Sequence, residues 1–370
     1  MLSKAAQFAP FLSSPLFSSG MILQQGQPVK LWGDVQANAS LTIKTNWLQA
    51  PIMTKADEDG HWSAAIEPPP AGGPYQLSLD DTINTIELTD ILCGEVWLAS
   101  GQSNMEMPFD GEIWDNPILN AEEHLRAADC PEIRMFMIDK EARNDPADEI
   151  SGTWLQSTPE TAREFSAVGY FFAQKLYVSL DVPIGIINAS MSATAIESWS
   201  PRESNKRLGI AYNYGVPDDL EPAFPSGLYN GMIYPLRNFS IKGVIWYQGE
   251  SNIDWANVYQ HQFAEMMTSW RSLFKSQNLP FYFVQLAPFE AEAPQEIAEL
   301  RDAQLQTYRN VSDCGIVVTT DVGDPIDVHP TNKAPVGKRL ALWALAKTYE
   351  ETGLVYSGPI PIKARQDGTQ

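Results

Sequence analysis

A serine that follows an apolar strand at a tight turn is a simple starting point for acyl-transfer chemistry. The segment Gly94-Glu95-Val96-Trp97-Leu98-Ala99-Ser100-Gly101-Gln102-Ser103-Asn104-Met105 has this form. Glycine permits the bend, and Ser103, with Gln102 beside it, falls where a helix would begin. Backbone N–H groups at such a helix start, aided by its positive end, could hold a developing oxyanion. A serine there can equally be a plain N-cap, and Gly-x-Ser-x-Gly, the α/β-hydrolase elbow, is absent.

A serine nucleophile needs a base, most often histidine, and the chain has only His61, His124, His261 and His329. His61 sits beside Asp59-Gly60 and reads as a turn residue. His124 follows Glu122-Glu123 on a polar, solvated helix face, and His261 lies inside a long helical pattern. His329 differs, because it lies in Asp324-Pro325-Ile326-Asp327-Val328-His329-Pro330, a loop between a strand candidate and the last helix. In an extended chain Asp327 and His329 project to one side, so the carboxylate could orient the imidazole. An ordinary surface loop fits the same residues. A third cluster, Gln248-Gly249-Glu250-Ser251-Asn252, follows the apolar run Val244–Tyr247. Gln248 and Asn252 could donate to an oxyanion, and Glu250 could support the histidine or bind a substrate hydroxyl. The competing reading is a helix cap from Ser251 or Asn252.

These clusters require strands that end at one edge. Val29–Trp32, Ser40–Thr45, Trp62–Ile66, Tyr75–Leu79 and Thr85–Leu88 are short alternating runs separated by turn clusters, which suggests a small β-sandwich over residues 1–89. From residue 90 to 352 buried strand candidates alternate with helical segments. The strands are Glu95–Ala99, Ile133–Ile138, Ile184–Asn188, Gly243–Trp246, Phe281–Leu286 and Ile316–Thr319. The helices are Phe165–Val178, Trp255–Phe274, Pro294–Tyr308 and Pro335–Glu350. This alternation predicts an α/β, three-layer, doubly wound parallel sheet with its site at the carboxyl ends of the strands. Asp139–Glu149 reads as a surface loop, and residues 353–370 as a tail.

The 370 residues carry 46 Asp+Glu against 25 Lys+Arg, a net charge of −21, which argues against nucleic acid and anionic membranes as partners. The uncharged stretch Ala5–Val29 contains Pro10, Pro15 and Pro28, so it fits neither a membrane span nor an export signal. Cys93, Cys130 and Cys314 are too scattered for a disulfide scaffold or zinc ribbon. With four dispersed histidines and no Gly-rich phosphate loop, no metal or cofactor is expected.

Taken in order, the serine, the Gln-Gly-Glu-Ser-Asn cluster and the Asp-x-His-Pro loop resemble the sialate O-acetylesterase family of SGNH-type hydrolases. Further matching words are Met21-Ile22-Leu23-Gln24, Trp32-Gly33, Phe165–Tyr170, Leu228–Ile233, Phe283–Pro288 and His329-Pro330. The resemblance implies an esterase that removes acetyl groups from sugar hydroxyls, with Ser103 as nucleophile, His329 as general base and a β-domain before the catalytic one. Three departures stand out. Ser190-Met191-Ser192-Ala193-Thr194 replaces the family's Gly-Gly-Thr, leaving backbone N–H groups at Ser192 and Ala193 as possible oxyanion donors but crowding the pocket. Ile326 occupies the position three before the histidine where SGNH hydrolases carry Asp, so the acid is Asp327 or Glu250, or a backbone carbonyl orients the ring. The third is the β-rich region that relatives carry beyond the last helix, so the chain reads either as a natural short form or as a truncated one in which residues 353–370 start that region.

The expectation is therefore a serine esterase acting on an O-acetylated sugar or other small acetyl ester. Ser103 N–H, Ser192 N–H and Asn252 would serve the oxyanion, and Trp199, Tyr229 and Trp255 are candidate sugar walls. The rivals are a general short-chain carboxylesterase, an acetylxylan esterase, and a carbohydrate-binding protein without turnover. Residue patterns assign neither oligomeric state nor location, although relatives are usually secreted, periplasmic or lysosomal.

Overall fold

The computed structural model describes residues 11–111, 116–210, 224–289 and 294–360. The first ten residues and the tail beyond residue 360, on which part of the export and tail readings falls, lie outside the described residues.

The N-terminal segment forms β1 (Ile22–Gln24), β2 (Val29–Asp34), β3 (Ser40–Thr45), β4 (Ile52–Lys55), β5 (His61–Ile66) and β6 (Gly72–Asp80). Alternation puts Val29 and Leu31 of β2 and Leu41 and Ile43 of β3 inside. Strands β2 and β5 pair antiparallel, whereas β3 pairs with both β4 and β6.

Strand β7 (Thr85–Gly101) corrects one expectation. Thr85–Leu88 and Glu95–Ala99, read as two strands on either side of residue 89/90, are one continuous strand. Asp90 and Gly94 look like breakers, and Asp90 does take a left-handed φ of 55°. Arg134 nevertheless grips the Asp90 carboxylate with two hydrogen bonds of 2.7 and 3.0 Å, and the ladder resumes. The first half of β7 pairs antiparallel with β6, and Leu92–Gly94 pairs parallel with β1. Its second half becomes the middle of the large sheet.

The rest of the chain gives α1 (Ser103–Glu106), α2 (Ala121–Arg126), β8 (Cys130–Ile138), β9 (Gly152–Ser157), α3 (Pro159–Arg163), α4 (Ala167–Leu180), β10 (Ile184–Ser190) and α5 (Arg202–Arg207). These are followed by β11 (Gly243–Tyr247), α6 (Ala256–Leu273), β12 (Phe281–Val284), α7 (Pro294–Asn310), β13 (Cys314–Val317) and α8 (Ala334–Lys347). The sheet order is β13-β12-β11-β7-β10-β8-β9. Every pairing along this path is parallel except β8 with β9, an antiparallel edge that the sequence reading missed.

Alternate residues of the buried strands feed two apolar layers. Trp97, Ile245 and Val284 pack with Phe171 and Phe172 of α4 and Leu340 of α8. Leu98, Trp246 and Phe283 pack with Phe263 and Trp270 of α6 and Leu300 of α7, in a core continuous with the inner side chains of β2 and β3. The molecule is a mixed α/β fold with a large, mostly parallel central sheet. Strand β7 lies between β10 and β11, so successive crossovers leave its end in opposite directions and open a crevice there.

Candidate active site

Gly101 makes the turn from β7 into α1. Its φ is 139°, and a Cβ there would stand 2.1 Å from the Tyr247 carbonyl oxygen, so only glycine fits between the two strand ends. The Gln102 N–H donates to that same carbonyl at 3.0 Å. Ser103 is then the first residue of α1, 5% exposed. The loop from β13 to α8 returns to it, and His329 Nε2 lies 2.8 Å from Ser103 Oγ. Burial, and secondarily the charge of Lys333, lower the imidazole below its ordinary value, while Asp327 acts in the opposite sense. A neutral imidazole beside a buried hydroxyl is positioned to take its proton.

Of the two acids considered for orienting His329, Asp327 is the one beside it. Its Oδ1 accepts the His329 backbone N–H at 2.7 Å and stands 3.8 Å from ring Nδ1. Glu250 engages a different partner. Its Oε1 accepts from Asn104 Nδ2 at 2.5 Å, and its Oε2 is buried with no hydrogen-bond partner among the described residues. Desolvation raises the Glu250 carboxyl above the usual glutamate range.

The other polar candidates build the floor of the crevice. Gln102 Oε1 accepts the N–H groups of Gly249 and Ser251 at 3.2 and 3.3 Å, pinning the loop after β11 to the turn that carries Ser103. Gln248 and Asn252, expected to face an oxyanion, instead face each other. Gln248 Nε2 donates to Asn252 Oδ1 at 2.6 Å and to the Thr194 carbonyl at 3.1 Å, and Asn252 Nδ2 donates to Glu197 at 3.0 Å. Both are fully buried, because at these positions the chain has already turned under the loop after β10.

That loop also departs from expectation. The Ser192 N–H and hydroxyl both donate to Glu106 Oε2, at 2.6 and 2.9 Å, and Lys140 of the Asp139–Glu149 loop pairs with the other Glu106 oxygen. The N–H is thus engaged by a carboxylate one helical turn from Ser103. Ala193 has a φ of 57°, a left-handed conformation normally left to glycine. Of the aromatic candidates, Trp199 is wholly buried and Tyr229 7% exposed, whereas Trp255 is 62% exposed. His61 opens β5 and pairs with Asp34, His124 packs edge-on against Phe171, and His261 is exposed on α6. Among the described residues no group of three His, Cys, Asp or Glu side chains is arranged to hold a metal ion.

The family model for carbohydrate esterases described as sialic acid-specific acetylesterases matches residues 93–346, a span that includes Ser103 and His329. The chain belongs to this family. The sialate O-acetylesterase of Mus musculus is 31% identical over 93% of this chain and 74% of its own. That of Homo sapiens is 30% identical over 95% of this chain and 74% of its own. A crystal structure of a carbohydrate acetylesterase from Xanthomonas citri superposes with a TM-score of 0.87 at 38% identity, covering 95% of this chain and 78% of that one. The chain is accordingly a carboxylic ester hydrolase, a carbohydrate O-acetylesterase.

Two residues of the acetylesterase site went unread in the sequence. Asn104 is fully buried beside Ser103, with Nδ2 donating to Glu250 and, at 2.9 Å, to the Val328 carbonyl. Lys333, 1% exposed, donates to Asn104 Oδ1 at 2.5 Å. Asn104 lies inside the Ser103 motif, whereas Lys333 sits at the start of α8 with nothing in its neighbourhood to mark it.

Proposed function

We propose that this acetylesterase works by a serine mechanism, cleaving O-acetyl groups from sugar hydroxyls through an acetyl-enzyme. Ser103 Oγ attacks the acetyl carbonyl while His329 Nε2 takes its proton. The imidazolium then protonates the departing sugar oxygen, and His329 next activates the water that hydrolyses the acetyl-enzyme. The Ser103 N–H, outside the intrahelical ladder at the first position of α1, is the oxyanion donor assigned first. The Ser192 N–H joins it only when Glu106 gives it up. Asp327 is the acid that orients His329. The single observation carrying this reading is the 2.8 Å contact between Ser103 and His329, 226 residues apart in sequence.

O-acetylated sialic acid is the substrate proposed first, since both mammalian relatives are named for it. Trp255, exposed at the end of the short helical turn Glu250–Trp255, supplies a flat apolar wall for a sugar ring. The scaffold is proposed as SGNH-type, a doubly wound parallel sheet between helical layers, preceded by a β-sandwich built from β1–β6 and the first half of β7. Helices on both sheet faces and two antiparallel pairings over one apolar core support this.

The test compares acetyl with butyryl p-nitrophenyl esters, and O-acetylated sialic acid with acetylated xylan, for wild type and Ser103→Ala. The expected outcome is preference for acetyl over butyryl, turnover of the sialic acid ester, and loss of both activities in the variant. Equal cleavage of acetyl and butyryl esters with no action on either sugar would make it a general carboxylesterase. Sugar binding without turnover would make it a binding protein.

A further inference from the structure

The Asn104 side chain has one acceptor oxygen and two N–H donors, and three different parts of the chain occupy them. Its N–H groups go to Glu250, after β11, and to the carbonyl of Val328, the residue before His329; its oxygen goes to Lys333, at the start of α8. The orientation is forced, because turning the amide over would set Oδ1 against the Glu250 carboxylate and the Val328 carbonyl, both acceptors. Lys333 supplies the donor that makes this orientation complete. Its ammonium is cut off from solvent and stands 5.8 Å above the Tyr247 ring, at the strand end that Gly101 abuts.

We propose that Lys333 is a positioning residue which, acting through Asn104, holds the turn carrying His329 in register with the Ser103 nucleophile. The proposal rests on the serine mechanism above. It assigns Lys333 no contact with substrate. Among the described residues the groups facing His329 include Ser103 from α1, Asp327 on its own turn and Lys333. Those facing Lys333 include Asn104 from α1, the Tyr247 ring from the end of β11, Glu250 from the turn after it, and Asp327. Burial lowers Lys333 to about 7, with Glu250 and Asp327 opposing the shift. While charged, Lys333 disfavours protonation of His329. Removing the cation therefore raises the imidazole, and the acid limb of activity moves to higher pH.

The experiment records pH–rate profiles on p-nitrophenyl acetate for wild type, Lys333→Met, Lys333→Gln, Asn104→Ala and Ser103→Ala, with folding followed by circular dichroism. Lys333→Met should lower kcat about 100-fold, the scale of a misplaced catalytic group, with KM within about two-fold and the acid limb displaced upward. Lys333→Gln, which keeps a donor for Asn104 without the charge, should regain part of kcat and keep the displaced limb. Asn104→Ala should lose kcat with the limb unmoved, since Lys333 keeps its charge.

A folded Lys333→Met with wild-type kcat, or with lowered kcat and a wild-type limb, overturns the proposal. If the Met variant does not fold, a Gln variant with wild-type kcat and limb overturns it, as does a fully active Asn104→Ala. Full activity in Ser103→Ala would instead sink the serine mechanism. An inactive Ser103→Ala beside an unaffected Lys333→Met would leave the mechanism standing and remove only the role of Lys333.

Discussion

Strand β7 has a buried carboxylate near where it enters the parallel sheet and another across from where it leaves, and the two are treated differently. Glu95, 3% exposed, accepts from Gln24 at 3.2 Å, Gln25 at 2.6 Å and the Tyr349 hydroxyl at 3.0 Å, and Trp97 Nε1 in turn donates to Tyr349. Both of its oxygens have partners. Glu250, at the other end, has one oxygen held by Asn104 and one buried without a partner among the described residues. A buried carboxylate whose oxygens are all engaged locks segments together, whereas a half-engaged one is held in place by the structure around it. The Glu95 network ties β1, β7 and the end of α8 into one frame. The Glu250 end is where Ser103, His329, Asn104 and Lys333 meet.

Five substitutions bear on this contrast. The largest effect is expected from His329→Ala, which should lower kcat by about 10⁴ or more, the scale seen when a catalytic base is lost, without changing the melting curve. Glu95→Ala should do the reverse. With Gln24, Gln25 and Tyr349 left without their acceptor it should lose about 3 kcal/mol of stability in urea unfolding, with normal kcat in the folded fraction. If it instead lowers kcat and leaves stability untouched, the two ends are not divided between frame and chemistry. Asp327→Ala should reduce kcat by about 10- to 100-fold, and Glu250→Ala much less. Should both retain near-normal kcat, a backbone carbonyl orients His329. The smallest effect belongs to Ala193→Gly, which relieves a left-handed φ of 57° and should stabilise the fold by about 1 kcal/mol.

The pH profile sharpens the same contrast. Burial and Lys333 hold His329 below the ordinary imidazole value of 6.5. The neutral base therefore persists below that pH, and the acid limb of kcat/KM should fall on the acid side of 6.5. A limb on the alkaline side would mean that another group titrates.

Ser103 and His329, the proposed nucleophile and base, stood out as candidates because each is locally marked, and the family resemblance then gave them their roles. Ser103 follows an apolar strand and a glycine, and His329 stands two residues after an aspartate in a loop. Most strands were legible for the same reason, their apolar runs being short and bounded by turn residues. The continuity of β7 was hidden, since Asp90 and Gly94 resemble a boundary, and only the grip of Arg134 and the pairing with β1 show that the strand runs on. Strand β9, Gly152–Ser157, was missed because only Trp154 and Leu155 in it are large apolar residues, too short a run to read as a strand. Gln248 and Asn252 were read as facing substrate because composition does not say which way a polar side chain points after a strand end. Lys333 and the Glu106–Ser192 contact depend on segments 229 and 86 residues apart meeting, and no local pattern encodes such meetings.

The most direct test of the central claim is to look for the acetyl-enzyme. Wild type mixed with excess p-nitrophenyl acetate and quenched in acid within the first turnovers should release a burst of p-nitrophenol. One acetyl group should then be found on the peptide containing Ser103, and neither should be seen with Ser103→Ala. Turnover by wild type with the acetyl group on another residue, or undiminished turnover by the variant, would contradict the assignment of Ser103 as the nucleophile.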